Sequence, residues 1–231
     1  MSGSIVGPEV RQRVRGMATP IAVGLGRLGL SPNHLTLIGF AIAVVAAVAA
    51  AQQAWLAAGI FLIVGGVFDL FDGALARASG QASRLGAFMD SVFDRAGEGV
   101  VYVGIGAACV AADFEVGAVL AAAAMASAFM VSYVRAKSES LGYAPGGRMA
   151  SIGIAPREVR LLVLTVGLLG TAGLGISTPL LAGVNWFGFT LAAGTAQLWL
   201  ASVLLLITVL ATITAIQRII HVIRQSTEEP K

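Results

Sequence analysis

Charge is what this sequence has least of. Only 12% of its 231 residues are Asp, Glu, Lys or Arg, against about 25% in an ordinary soluble domain. Hydrophobic residues make up 57%, in apolar runs that recur along the whole length. That balance excludes a water-soluble globular domain and predicts an integral membrane protein. Cysteine is nearly absent. The lone Cys109 excludes an intrachain disulfide and, within an apolar run, reads as a small core hydrophobe. His34 and His221 are isolated at the rims of apolar segments and are assigned no chemistry. No polar linker is long enough to divide the chain, so residues 1–231 read as a single membrane domain. The N-terminus lacks the order of a signal peptide, because its first long apolar run starts late, behind several arginines. No nucleic-acid partner is expected.

What is there is helical. The apolar runs predict an all-α, polytopic bundle of six transmembrane helices over 33–222: 33–52, 54–77, 84–111, 115–136, 157–176 and 196–222. Each is near the ~20 residues that cross ~30 Å of hydrocarbon. Residues 177–195, broken by Pro179, Asn185 and several glycines, read as an outer loop, partly re-entrant. Ahead of the bundle, the arginines at 11, 13, 15 and 27 interleave with apolar residues. They predict a juxtamembrane amphipathic helix over 8–30, interrupted near Pro20.

The few charges are sorted. The loops after the first, third and fifth spans contain no Lys or Arg. All 15 basic residues fall on the other side of a six-span layout. The positive-inside rule makes that side, with both termini, cytoplasmic, in a multi-pass protein of the cell membrane. Trp55, Trp186 and Trp199 map to the opposite rim, as an aromatic belt would.

Against this background four acids stand out in "DLFDGALARASGQASRLGAFMDSVFD", residues 69–94. Asp69 and Asp72 are three apart at the end of the second span. Asp90 and Asp94 are four apart at the start of the third. Each pair shares a helix face, and both pairs lie at one membrane depth. Unpaired charges there cost at least ~2.5 kcal/mol each on insertion scales. Clustered carboxylate oxygens suit hard divalent ions, Mg²⁺ or Mn²⁺. Four of them are enough for two ions ~3.5–4 Å apart, an arrangement used on phosphoryl groups. The alternative is pairing with Arg77, Arg84 and Arg95, but three arginines do not match four acids. Gly73, Ala76 and Gly86 leave room beside the acids for a ligand to approach the backbone. Arg77, about a turn beyond Asp72, is placed to bind a diphosphate oxygen.

Written as D-x2-D-G-x2-A-R-x8-G-x3-D-x3-D, these eight positions resemble the signature of the CDP-alcohol phosphatidyltransferase family, with no departure. The six-span layout and "SPNHLT" at 31–36 are also similar to the family. The resemblance implies transfer of the phosphatidyl group of CDP-diacylglycerol to an alcohol, with release of CMP. It implies two Mg²⁺ ions, one on Asp69, Asp72 and Asp90 and the other on Asp72, Asp90 and Asp94, with Asp94 as general base. It assigns Asn33, Thr36, Gly73, Ala76, Arg77 and Gly86 to the CDP-lipid. It also implies a homodimer embedded among membrane lipids.

For the acceptor, the cytoplasmic half holds more cations than a nucleotide needs: Arg135 and Lys137 in "SYVRAK" with Ser132, Arg157 and Arg160 in "PREVR", and Arg218. Arg157 and Arg160, three apart, are expected to share a face. Such a cluster suits a phosphate on the acceptor. The arrangement is similar to the bacterial phosphatidylinositol phosphate synthase branch, which implies inositol 1-phosphate. Glycerol 3-phosphate, and with it a phosphatidylglycerophosphate synthase, is the rival. A cation-coupled transporter is the more distant alternative, since intramembrane acids also mark ion paths. The edge position of these acids argues against it.

Overall fold

The computed structural model describes residues 8–143, 149, 152–174 and 193–228, with side chains described except at 8–15, 17, 193, 194 and 228. Among these residues seven helices run in the order α1 (Pro8–Arg27), α2 (Pro32–Ala51), α3 (Trp55–Ala78), α4 (Arg84–Ala111), α5 (Glu115–Ser140), α6 (Arg157–Gly173) and α7 (Ala193–Glu228). The expected loop at 177–195, with Trp186, falls almost wholly outside the described residues.

Local chemistry sets the helix ends. Ser31 caps α2, and Pro32, which needs no hydrogen-bonded N–H, begins it. The Ser31 hydroxyl accepts from the His34 amide at 3.3 Å, while His34 Nδ1 accepts from the Ser31 amide at 3.2 Å. This is a capping box with histidine in the acid's place. Ser83 caps α4 by accepting from the Gly86 amide at 3.0 Å. Gly80, at φ 66°, turns the chain between α3 and α4.

α2, α3, α5 and the Thr195–Thr227 part of α7 are long and apolar enough to cross a membrane. The other two expected spans differ for a physical reason. α4 carries Arg84, Asp90, Asp94, Arg95 and Glu98. α6 has 17 residues and opens with Arg157, Glu158 and Arg160. Their charges answer one another: Arg157 pairs with Asp94, and Arg160 with Glu98. Each helix carries several charges in its first half, and part of that charge is cancelled between the two.

α2 packs on α3 and α4, α5 on α4 and α7, and α6 on α3 and α7. Trp55, Leu62, Tyr102, Ile105, Leu164, Leu168, Leu204 and Ile207 meet in one core. A Cβ at Gly104 would collide with the Ala47 carbonyl oxygen, so α2 and α4 touch backbone to backbone. The outer surface is apolar too. Val103, Val110, Val119, Leu162 and Leu198 are each at least 60% exposed. In water that belt would drive association; against lipid it is the outer face.

Two expectations need correction. α1 is not interrupted at Pro20; the proline lies inside a continuous helix. The proline forgoes one backbone bond, which is tolerated because Ala18 and Ala22 dock on Leu35, Ala74 and Leu75. Nor does Trp55 belong to an exposed belt. It is 2% exposed, within the core. Trp199 turns its ring over Gly170 and donates its Nε1–H to the Gly167 carbonyl at 3.0 Å. The Trp55 indole fills space between helices, whereas Trp199 keeps 37% of its surface exposed. Cys109 is buried and free.

Candidate active site

The site forms where α3 ends and α4 begins, with α2 and the start of α6 against them. α3 carries Asp69, Asp72, Gly73, Ala76 and Arg77; α4 carries Gly86, Asp90 and Asp94. The two helices are joined by a short turn, which holds the acidic faces at one end of the bundle. Asp72 is buried and accepts from the Thr36 hydroxyl at 2.7 Å. Asp69 stands beside α2, where Gly39 lacks the Cβ that would crowd its Oδ1 at 3.2 Å. The charges of Asp69 and Asp90 both act on Asp72, and those of Asp69 and Asp90 on Asp94. The four carboxylates therefore belong to one electrostatic group.

A cation already lies among them, and it is not one of the arginines nearest in sequence. Arg157, from α6, places NH1 and NH2 each 3.0 Å from Asp69 Oδ2. Its NH1 is also 3.0 Å from Asp94 Oδ1. Arg95 lies farther from Asp94, at 3.6 Å, and donates to its own helix at the Ser91 carbonyl. No three acidic, His or Cys side chains among the described residues are gathered tightly enough to enclose a metal ion. The donor set nevertheless fits a hard divalent cation. It offers carboxylate oxygens from two neighbouring helices, and two of those carboxylates already hold a positive guanidinium between them.

The expected CDP-lipid residues adjoin the acids. A Cβ at Gly86 would lie 3.3 Å from Asn33 Oδ1, so α2 and α4 meet there. The Arg77 guanidinium folds back over Gly73, with NH1 3.3 Å from where a Cβ would stand. Thr36, on α2, donates to the Asp72 carboxylate toward the end of α3. Ala76 is half-buried on the same helix end. A cleft continues inward past Phe40, Phe61, Leu62, Phe93 and Leu161, giving the polar site an apolar extension.

The six residues expected to bind the acceptor phosphate are less alike. Arg135 pairs with Glu139 at 3.0 Å on the same helix. Ser132 is half-buried and Lys137 is exposed. Arg157 faces the aspartates. Arg160 also faces α4, but it is 1% exposed and makes a bidentate pair with Glu98, both bonds 2.8 Å. Its third nitrogen donates to the Ala155 carbonyl at 3.1 Å. Arg218 is buried and donates to the carbonyls of Ile152 at 2.9 Å and Val131 at 2.8 Å. Arg160 and Arg218 are thus engaged with protein acceptors, as buried guanidinium groups require. Glu98 was not anticipated, although it continues the four-residue spacing of Asp90 and Asp94.

Residues 29–223 match the CDP-alcohol phosphatidyltransferase family. The archaetidylinositol phosphate synthase of Pyrococcus horikoshii is 35% identical over 78% of this chain and 91% of its own. The phosphatidylinositol phosphate synthase of Mycobacterium tuberculosis superposes in two crystal structures. With CDP-DAG bound, it gives a TM-score of 0.70 at 27% identity, covering 89% of this chain and 92% of that one. In complex with manganese and citrate, it gives 0.72 at 26% identity, covering 93% of each. With a signature complete at every fixed position, the chain belongs to the CDP-alcohol phosphatidyltransferases, multi-pass membrane enzymes of phospholipid synthesis.

Proposed function

We propose that the protein joins the phosphatidyl group of CDP-diacylglycerol to a hydroxyl of inositol 1-phosphate, releasing CMP. The observation that carries the acceptor is a guanidinium standing among the acids: Arg157 lies 3.0 Å from both Asp69 and Asp94 and keeps 23% of its side chain exposed. An acceptor phosphate brought to the metal-binding acids meets that group. The named relatives lend support: one is archaetidyl and one phosphatidyl, but both make inositol phosphate lipids.

In this reading Asp69, Asp72, Asp90 and Asp94 hold two Mg²⁺ ions, with Mn²⁺ the other suitable ion. When bound, such ions neutralise the diphosphate and favour in-line displacement. Thr36 fixes the Asp72 carboxylate through its 2.7 Å bond. Arg77, Gly73, Ala76, Gly86 and Asn33 receive the cytidine diphosphate. The acceptor oxygen bonds to the phosphorus bearing the diacylglycerol, the bond to CMP breaks, and Asp94 takes the hydroxyl proton. The acyl chains follow the apolar cleft between α2, α3, α4 and α6. The bundle crosses the membrane six times, α2 to α7, with the site and both termini cytoplasmic. α1 lies along the surface, and two copies pair within the bilayer.

The test is CMP release by purified protein in detergent with Mg²⁺, CDP-diacylglycerol and one acceptor at a time. Inositol 1-phosphate is expected to exceed glycerol 3-phosphate by at least about tenfold in kcat/KM. Preference for glycerol 3-phosphate would make the protein a phosphatidylglycerophosphate synthase instead.

A further inference from the structure

Arg157 and Arg160 stand one turn apart at the start of α6, yet they are held very differently. Arg160 has a partner for each of its three nitrogens and is 1% exposed. It is a fixed tie between α6 and α4. Arg157 keeps 23% of its side chain exposed. Its two terminal nitrogens reach Asp69 and Asp94, while its buried Nε–H has no partner among the described residues. A permanent structural arginine would be expected to satisfy that donor, since an orphaned buried N–H costs about 1–3 kcal/mol. The side chain is drawn in by the acids' charge rather than seated in a complete set of partners.

The oxygens it covers are also telling. Asp69 Oδ2 accepts from both terminal nitrogens, and Asp94 Oδ1 lies 3.0 Å from NH1. These carboxylates belong to the set proposed to hold the divalent ions. An oxygen engaged by a guanidinium is a poor ligand for a second cation, because the two positive charges repel and compete for the same lone pairs. Yet without any cation, Asp69 and Asp94 would face each other's charge at membrane depth.

We infer that Arg157 is an exchangeable counter-cation. It neutralises Asp69 and Asp94 in the metal-free enzyme, and divalent metal must displace it. The inference rests on the reading that these aspartates bind metal. By linkage, whatever draws Arg157 off the acids favours metal binding by the same factor. A phosphate on the arriving acceptor is a suitable attractor, so acceptor and metal should promote each other's binding. The exchange also guards the acidic site against collapse through repulsion before substrates arrive.

The experiment is Mn²⁺ titration of the full-length, detergent-purified protein without substrates, followed by the paramagnetic resonance signal of free Mn²⁺. Arg157→Gln is expected to bind Mn²⁺ at least about fivefold more tightly than wild type, and Arg157→Lys to lie between them. Thermal unfolding of the same samples should show Arg157→Gln less stable than wild type without metal and recovering that loss with it. If wild type binds Mn²⁺ but Arg157→Gln binds it equally or more weakly, the exchange is overturned and the metal site stands. If neither binds Mn²⁺, the metal reading falls and the exchange with it. Should Arg157→Gln fail to fold, Arg157→Lys alone decides, through tighter binding or its absence.

Discussion

Asp94 and Glu98 lie one turn apart on α4, and each meets a different arginine of α6. That one turn separates chemistry from architecture. Asp94 is partly exposed and linked to a guanidinium with an unfilled donor; Glu98 is sealed with a guanidinium whose nitrogens are all engaged. Asp94→Asn removes the proposed proton acceptor with little change in shape. Turnover is expected to fall by about 10²–10⁴-fold, with CDP-diacylglycerol still bound in equilibrium dialysis. Retained turnover would transfer the base role elsewhere. At this scale the sequence was legible where partners share a helix, because spacing alone puts Asp69 with Asp72 and Asp90 with Asp94. The Arg157–Asp69 contact spans 88 residues, and no local spacing announces it. Glu98 continues the same four-residue spacing but lies just beyond the signature.

The pair of helices α4 and α6 carries the next lesson. Apolar length identified α2, α3, α5 and α7 from the sequence, since nothing in them opposes the hydrophobic pattern. It is a weaker guide to α4 and α6, whose polar residues make sense only together. Breaking a buried ion pair by removing one partner costs about 3–5 kcal/mol, whereas replacing both by apolar residues of similar size is often neutral. Glu98→Leu and Arg160→Met alone should each lower the thermal midpoint strongly in detergent. The double variant is expected to recover most of the loss. A double variant destabilised by the sum of the two single losses would mean that the two residues act separately. α1 shows the opposite failure: Pro20 suggested a break, and docking against α2 and α3 overrode the local signal.

For the molecule as a whole, the sorting of Lys and Arg predicts an orientation that introduced thiols can read. Cys109 is buried in the apolar core, so the background is Cys109→Ala, which adds no polar group there and leaves no competing thiol. Gln52→Cys, in the turn after α2, should react with a membrane-impermeant maleimide from outside intact cells. Ser226→Cys, near the end of α7, should react only in inverted vesicles. The reverse pattern would put the aspartates on the outer face, away from cytosolic CMP. The ion pair between α4 and α6 also sets an order of events at the ribosome. Glu98 emerges 62 residues ahead of Arg160, so α4 is without its counter-charge until the later arginine is made. The same thiol at Gln52, read beside one in α4's outer turn, will show that helix crossing stably in the full chain and poorly in a chain halted at residue 143. The expected outcome is that stable placement of α4 depends on the later synthesis of α6.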